Sequence, residues 1–191
     1  PLFSITALVG LYNLALFVFL ARLKKKSFAV INKIANLQIS LDLLSLSLLI
    51  HFSGGIENPF IFYFIFHMII ASILLSRRAA YLQASFTAML FSSIVTLEFF
   101  KILPHYCLEG FMIDCQQQNL TYIIGVSFVL ISTIYIAVYM ATSISAKLRQ
   151  RERTLAQANA LLEEKDRIKS EYVLRVSHDI KEHLAAIEGC L

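Results

Sequence analysis

The sequence predicts an all-α membrane protein, in which a polytopic transmembrane helical bundle is followed by a long polar helix. Hydrophobic residues make up 58% of the 191 residues and charged residues only 16%, and the mean hydropathy is +0.68. The apolar residues come in blocks of about 20, long enough to cross a ~30 Å hydrocarbon core. From Ala146 onward the chain is rich in Ala, Leu, Glu, Lys and Arg and has no Pro, which favours one continuous helix.

The apolar blocks predict five membrane-spanning helices in a transmembrane domain of residues 1–143. The first ends at a basic cluster, the second at a Gly-Gly turn, the third at an Arg pair, the fourth at a proline and the fifth where charged residues begin to dominate. The predicted ranges are 1–21, 34–52, 60–76, 79–103 and 120–143.

Basic residues predict the orientation of these helices. The net charge of +4 is concentrated in clusters at 22–26, at 77–78 and from 147 onward, at alternate ends of successive helices. Cytoplasmic loops carry the excess of Lys and Arg, so these clusters and the C-terminal tail are predicted to be cytoplasmic. The loops at 53–59 and 104–119 contain neither residue type and are predicted to lie outside. Charge distributed in this way favours contact with membrane lipid and argues against nucleic acid as a partner.

The ends of the chain suggest a fragment of a longer protein. Pro1 lies inside an apolar block, and Leu191 lies inside a helical pattern. The basic cluster follows the first apolar block instead of preceding it, so we do not expect a signal peptide. Because Pro1 would lie outside, a cytoplasmic N-terminus would require one more helix upstream, giving six.

Heptad spacing in the polar tail predicts a coiled coil, with residues 144–170 as its linker region. Apolar residues recur every seven positions in two runs that are joined by a step of eleven, a heptad plus four. Two such helices would bury this stripe against each other, which predicts a homodimer. By itself the first run fits any coiled-coil spacer equally well. The positions are Leu148, Leu155, Leu162, Val173, Ile180 and Ile187.

The run from Ser177 to Ile187, SHDIKEHLAAI, resembles the H-box of sensor histidine kinases of two-component systems. The resemblance implies that 171–191 begins a dimerisation and histidine phospho-acceptor domain. It also implies that His178 is the phospho-acceptor and Asp179 its orienting base. The chemistry fits, because an exposed neutral imidazole can attack the γ-phosphorus of ATP while a carboxylate holds the other ring nitrogen. A lone surface histidine would otherwise be a solvated residue.

The family resemblance carries further implications and two departures. ATP would be bound by a domain absent from these 191 residues, so this chain alone is expected to be inactive, and the phosphoryl group would pass to a response-regulator aspartate. Glu182 stands where the family often has Thr or Asn, which leaves phosphatase activity open. His183 stands where the family often has Pro, so a straighter helix is expected.

The loop between the second and third predicted helices resembles the GGxxNPF loop of RegB-type quinone-responsive redox-sensor kinases. The resemblance implies a ubiquinone or menaquinone site near the outer membrane face. Taken without it, the residues favour a tight helical hairpin whose aromatic side chains form an interface belt. The loop residues that carry the resemblance are Gly54, Gly55, Asn58, Pro59 and Phe60.

Polar residues inside the predicted helices are further candidates. Asp42 lies near the middle of the second helix, where a carboxylate is either functional or holds helices together, with Gln38 and Gln83 as predicted partners. Glu98 and Lys101 are spaced i, i+3 and predict a simple ion pair near the outer surface.

Histidine and cysteine positions add weaker signals. His51 and His67 could relay protons to a quinone. Cys107 and Cys115 share the second outer loop, and a disulfide between them is as well supported as two free thiols. Cys190 is predicted to be a reduced packing residue. No spacing in the sequence indicates a metal site.

Together these features predict a membrane sensor histidine kinase in the bacterial inner membrane, with a multi-pass sensor domain and a cytoplasmic tail. A signal at the outer face would shift the fifth helix and change how His178 meets the ATP-binding domain. The alternative is a transporter- or channel-like membrane protein whose coiled-coil tail serves oligomerisation. A third interpretation keeps the kinase and makes the membrane region an anchor without a ligand.

Overall fold

The computed structural model describes residues 2–22, 28–107 and 115–188, and every regular element within those ranges is helical. The predicted all-α membrane class is confirmed. The α-helices are α1 Leu2–Arg22, α2 Phe28–Phe52, α3 Tyr63–Leu74, α4 Arg77–Phe99 and α5 Leu120–Glu188. Short 3-10 turns cover Gly55–Glu57, Pro59–Phe62 and Gln116–Gln118.

The chain divides into two units, Pro1–Ser145 and Ala146–Leu191. The first unit is a bundle whose core is formed by one face of each helix from α2 to α5. In α5, Leu130, Ile134 and Val138 are completely buried, and their spacing of four places them on one face. From α3, Phe64 and Met68 complete this core with 1% and 0% exposure. Apolar side chains that remain exposed on the outside of the bundle suit a lipid environment.

Four helices, α1, α2, α4 and α5, are long and apolar enough to cross a membrane. The third predicted span differs from the prediction of a full helix over 60–76. The apolar segment Pro59–Leu74 begins as a 3-10 turn and continues as the 12-residue α3, giving a length of about 25 Å. The Asn58 side chain accepts a hydrogen bond from the Phe60 N–H at 2.8 Å, and this cap starts the chain in a tight turn before the helix.

Helix α2 ends at Phe52 and helix α5 begins at Leu120, as predicted, whereas other helix ends differ from the predicted bounds. Helix α2 begins six residues earlier than predicted, at Phe28 instead of 34. Helix α4 begins at Arg77, where the Ser76 hydroxyl accepts a hydrogen bond from the Ala79 N–H. It ends at Phe99, four residues before the predicted end, because Lys101 adopts a left-handed backbone with φ 57°. Helix α5 passes the predicted boundary at 143 and ends at Glu188.

The ends of α2 and α4 meet the two loops that lack Lys and Arg, and we call this region the loop end of the bundle. The 3-10 turn Gly55–Glu57 contacts the turn Gln116–Gln118, and both turns contact α4. The two loops therefore lie at the same end, as the alternation of basic clusters predicted. Residues 24–26, 108–114 and Cys190 lie outside the described residues.

The second unit consists of the C-terminal part of α5. All of its described side chains are exposed, including the predicted apolar stripe, because no described residue of the chain covers it. The exposed fractions in the stripe are Leu148 54%, Leu155 63%, Leu162 59%, Val173 57% and Ile180 54%.

Candidate functional site

Four titratable side chains are buried together at the loop end, and we call them the Glu–His cluster. His51 lies in the last turn of α2, Glu57 in the 3-10 turn that follows, Glu98 in the last turn of α4 and His105 in the loop after α4. Their side chains are between 0% and 7% exposed. Burying ionisable groups is costly unless they are paired, so their mutual arrangement decides what the site can do.

Glu98 is held between the two histidines. Its Oε1 lies 2.6 Å from His51 Nδ1, and its Oε2 lies 2.8 Å from His105 Nδ1. A carboxylate only accepts hydrogen bonds, so both Nδ1 atoms donate to it and the proton of each ring is fixed at that position when the ring is neutral. Glu98 therefore joins the end of α2 to the loop after α4.

Glu57 is the second carboxylate of the cluster. Its Oε1 accepts a hydrogen bond from the backbone N–H of Gln116 and lies 3.6 Å from His105 Nε2. Among the described protein atoms, Glu57 Oε2 and His105 Nε2 are buried without a hydrogen-bond partner. The cluster therefore retains capacity for a further proton or a polar group.

The Gly-Gly pair lets the first loop pass directly over Glu98. Gly54 and Gly55 have φ of 118° and 53°, in the left-handed region that glycine adopts without strain. A Cβ atom on Gly55 would lie 2.5 Å from Glu98 Oε2, so close approach as well as backbone conformation requires glycine there.

The predicted quinone-binding residues fall into a buried and an exposed group. Gly54, Gly55 and Asn58 are buried, whereas Pro59 and Phe60 are exposed. Asn58 is fully engaged within its loop. Its Nδ2 donates to the backbone oxygen of Ser53 at 2.8 Å and to the Ser53 hydroxyl at 2.6 Å, and its Oδ1 caps the next turn. A quinone carbonyl at Asn58 would have to compete with these bonds.

Aromatic rings surround the loop end. Phe60 stacks on Tyr63 with ring centroids 5.3 Å apart and an interplanar angle of 15°. Tyr106 approaches the His51 ring edge-on at 5.8 Å and the Phe52 ring at 5.6 Å. The Phe60–Tyr63 pair is exposed, whereas Phe52 and Tyr106 lie against the His51 ring of the Glu–His cluster.

The predicted ion pair between Glu98 and Lys101 is wrong. Glu98 is 2% exposed and faces the cluster histidines, whereas Lys101 is exposed, with its backbone already past the end of α4. The i, i+3 rule requires both residues to be helical, and α4 ends between them.

The predicted partners of Asp42 are also wrong. Asp42 accepts a hydrogen bond from the Tyr12 hydroxyl of α1. Gln38 instead donates to Asn13 Oδ1 at 2.9 Å. Gln83 of α4 donates to Asn36 Oδ1 at 2.6 Å and to the Ser40 hydroxyl at 2.8 Å. These contacts join α1 to α2 and α2 to α4, which supports the packing role that the sequence left open for Asp42.

The two histidines considered as a proton relay are not brought together. His51 belongs to the Glu–His cluster, whereas His67 Nδ1 lies 3.0 Å from the Tyr63 carbonyl oxygen one turn earlier in α3. The described ranges contain no group of three or more His, Cys, Asp or Glu arranged to hold a metal ion.

The structure decides the cysteine alternative in favour of the disulfide. Cys107 and Cys115 are bonded, with Cα atoms 5.8 Å apart, within the usual range for a disulfide. The sequence could not decide this, because spacing alone does not show whether two thiols in one loop face each other.

The predicted phospho-acceptor His178 lies on α5 with an exposed side chain. The side chain of its proposed base Asp179, and those of Glu182 and His183, lie outside the described part of the chain. The roles of His178 and Asp179 stay predictions.

Two of the four members of the Glu–His cluster, Glu57 and His105, were not predicted from the sequence as site residues. One signal was available. The two loops without Lys or Arg contain Glu57, His105, Glu109 and Asp114, with His51 and Glu98 in the adjoining helix ends, and titratable groups of this kind need partners when they are buried. The pairings could not be predicted from local spacing, because His51 and Glu98, for example, are 47 positions apart in the sequence.

These features define a polytopic helical membrane domain with a buried polar cluster beneath its loops. The chain belongs to the PilS-like transmembrane domain family, whose model matches residues 1–156. PilS is a membrane sensor histidine kinase, so the membrane region is of the sensor-kinase type. No curated protein and no solved structure matches the chain.

Proposed function

We propose that the intact protein is a sensor histidine kinase that autophosphorylates His178 and transfers the phosphoryl group to a response-regulator aspartate. One observation carries the proposal: residues 1–156 match the PilS-like transmembrane domain, and an H-box-like run from Ser177 follows on the same helix α5. ATP would be bound by a domain outside these 191 residues. Asp179 would hold the ring nitrogen of His178 that does not attack.

A homodimer is the assembly that this function needs, and the second unit supports it. Five apolar side chains of the predicted stripe are more than half exposed on α5. Burying them against the same stripe of a second copy would remove that apolar surface from water. His178 lies at heptad position f when Val173 is taken as a, so its ring would face solvent, where an ATP-binding domain can reach it.

The stimulus proposed here is a change at the loop end, which we place on the outer face of the bacterial inner membrane. A ubiquinone or menaquinone is one candidate. Because Asn58 is engaged by Ser53, the exposed Phe60–Tyr63 pair offers the more accessible ring surface for stacking. Helix α5 begins beside this region at Leu120 and contains His178, so a displacement of its first turns is the proposed signal.

Labelling of the full-length protein tests the kinase proposal. In membrane vesicles supplied with radiolabelled ATP, His178→Gln should abolish labelling. The matched control His183→Gln changes a histidine five residues further along the same helix and should retain it. Label that persists on His178→Gln would place the acceptor elsewhere, and a protein without any labelling would favour the transporter-like alternative.

Quinone sensing needs a separate test. Full-length protein in nanodiscs should be labelled to different extents with oxidised and with reduced menaquinone. Phe60→Leu should weaken that difference, while Phe128→Leu, which changes a lipid-exposed ring on α5, should leave it intact. An equal response in both variants would remove the aromatic pair as the quinone surface.

A further inference from the structure

We propose that the Cys107–Cys115 disulfide is a redox modification site that a dithiol reduces, and that its reduction releases Glu57 from His105 and Gln116. The part of this inference that concerns signalling rests on the proposed function, whereas the part that concerns the site itself does not.

The two groups that contact Glu57 from the second loop lie on either side of this disulfide. His105 is two residues before Cys107, and its Nε2 lies 3.6 Å from Glu57 Oε1. Gln116 directly follows Cys115, and its backbone N–H donates to the same carboxylate oxygen. The disulfide therefore fixes the distance between two chain segments that converge on one atom.

The exposure of the disulfide and of the cluster differ sharply. Both cysteines are exposed residues, which favours access of a reductant to the disulfide. The side chains of Glu57, Glu98 and His105 are no more than 2% exposed. Exposed disulfides are the ones that exchange readily, whereas structural disulfides are commonly shielded. A reaction at the exposed disulfide can thus change the geometry of the Glu–His cluster, which is itself buried.

The proposed reaction is a thiol–disulfide exchange. A thiolate of the dithiol attacks Sγ of one cysteine, the Cys107–Cys115 bond breaks, and a mixed disulfide forms. The second thiol of the reagent then displaces the protein sulfur. The dithiol loses two electrons and two protons and becomes a disulfide, and both cysteines end as thiols.

Reduction weakens the contacts to Glu57 because it breaks the covalent bond that links the segment of His105 to the segment of Gln116. While the disulfide is intact, the hydrogen bond of His105 to Glu98 also keeps Gln116 close to Glu57, so each contact favours the other. In the dithiol form each segment must be held by its own contacts. Glu57 already has one buried oxygen without a partner, and losing the Gln116 N–H would leave the carboxylate still less stabilised.

The site is connected to the helices that carry a signal. His105 also donates to Glu98 in the last turn of α4. Gln116 opens the 3-10 turn that leads to Asn119, whose side chain accepts from the Tyr122 N–H at 3.2 Å and caps α5. Release of Glu57 would therefore free the segment immediately before the first turn of α5.

Hydrogen exchange on the full-length protein in nanodiscs tests the site without using kinase activity. Every sample carries Cys190→Ser, so that Cys107 and Cys115 are the remaining cysteines within residues 1–191. Dithiothreitol should convert both to thiols that a maleimide labels, and the amide of Gln116 should then exchange about tenfold faster, as expected for loss of one charge-assisted hydrogen bond. The double variant Cys107→Ser/Cys115→Ser should exchange at the fast rate with or without dithiothreitol.

Two results would overturn the site: a disulfide that dithiothreitol does not reduce in the folded protein, or equal protection of Gln116 in the disulfide and dithiol forms. Amides in the middle of α4 serve as the reference and should exchange equally in both. Phosphorylation of His178 is measured in the same samples. A protein that is never phosphorylated contradicts the proposed kinase, while the exchange result still decides the redox site.

Discussion

Gly55 lies against the buried carboxylate of Glu98, so closely that a Cβ on Gly55 would stand 2.5 Å from Glu98 Oε2. That oxygen cannot move aside freely, because it accepts a hydrogen bond from His105 at 2.8 Å. Gly55→Ala would also place a side chain at φ 53°. We expect the variant to lose about 2 to 4 kcal/mol of stability, the sum of left-handed strain and the disturbed hydrogen bond.

Unfolding of the purified protein is measured by titration with SDS, with circular dichroism as the signal. Gly125→Ala is the matched control, because a Cβ there meets nothing within 4 Å and the residue is helical. Alanine favours a helix by about 1 kcal/mol over glycine, so the control should be as stable as the parent or slightly more stable. Equal curves for both variants would show that Gly55 does not press on Glu98.

Glu98 gives a second prediction, which also tests the corrected ion pair. In Glu98→Leu the Nδ1 atoms of both histidines would lose their acceptor inside a buried cluster. Removing one partner of a buried pair costs about 3 kcal/mol or more. Lys101→Asn should change stability by less than about 0.5 kcal/mol, since the lysine is exposed and Asn tolerates its left-handed backbone.

The comparison is read from thermal unfolding of both variants in the same detergent. If Lys101→Asn proved as damaging as Glu98→Leu, the two residues would be coupled after all, and the assignment of Glu98 to the histidines would need revision.

The contrast between Glu98 and Lys101 shows why the site was harder to predict than the fold. Local spacing suggested that pair, but the true partners of Glu98 are His51, 47 positions away, and His105 beyond the helix end. Likewise Glu57 meets Gln116 across 59 positions. No periodic pattern records such contacts, because they depend on how the loops at the two helix ends fold over each other.

The helices were predictable because the length of an apolar block and the charged residues that end it are local features of the sequence. The α1 and α2 blocks, the polar tail and the loop end all follow from composition. The third span was overestimated, because an apolar run does not reveal that Asn58 and Pro59 begin it as a 3-10 turn. The hydrogen bond from Tyr12 to Asp42 was likewise invisible, since any donor on any neighbouring helix could have served.

The turn at Asn58 provides a third prediction, which separates a structural from a ligand-binding role. Asn58→Ala removes two donated bonds to Ser53 and the cap on the Phe60 N–H, and we expect a loss of about 2 kcal/mol. Asn58→Asp keeps the cap acceptor but turns a carboxylate oxygen toward the Ser53 backbone oxygen at a buried position, so its loss should be at least as large. Stability is followed by SDS titration without quinone. Unchanged stability of Asn58→Ala would leave ligand binding as the reason for asparagine there.

The hydrogen bond between Tyr12 and Asp42 should couple α1 to α2 inside the membrane. A double-mutant cycle with Tyr12→Phe and Asp42→Ala isolates the pair, and we expect a coupling of about 1 kcal/mol, typical of polar contacts between transmembrane helices. Tyr81→Phe on α4 combined with Asp42→Ala is the control cycle and should show no coupling. Additive effects of the first pair would mean that Asp42 stabilises the bundle through other groups or serves a different purpose.

The exposed stripe of α5 predicts that a second chain packs along it. In full-length protein with Cys190→Ser, Leu155→Cys should form an intermolecular disulfide under mild oxidation, because equivalent a positions face each other across a two-helix seam. Arg153→Cys, two residues earlier at an f position on the opposite side, should cross-link far less. Non-reducing gel electrophoresis of membranes gives both yields, with Cys107 and Cys115 already paired to each other. Equal yields at the two positions would contradict a seam along Leu148, Leu155 and Leu162, and with it the arrangement that presents His178 to solvent.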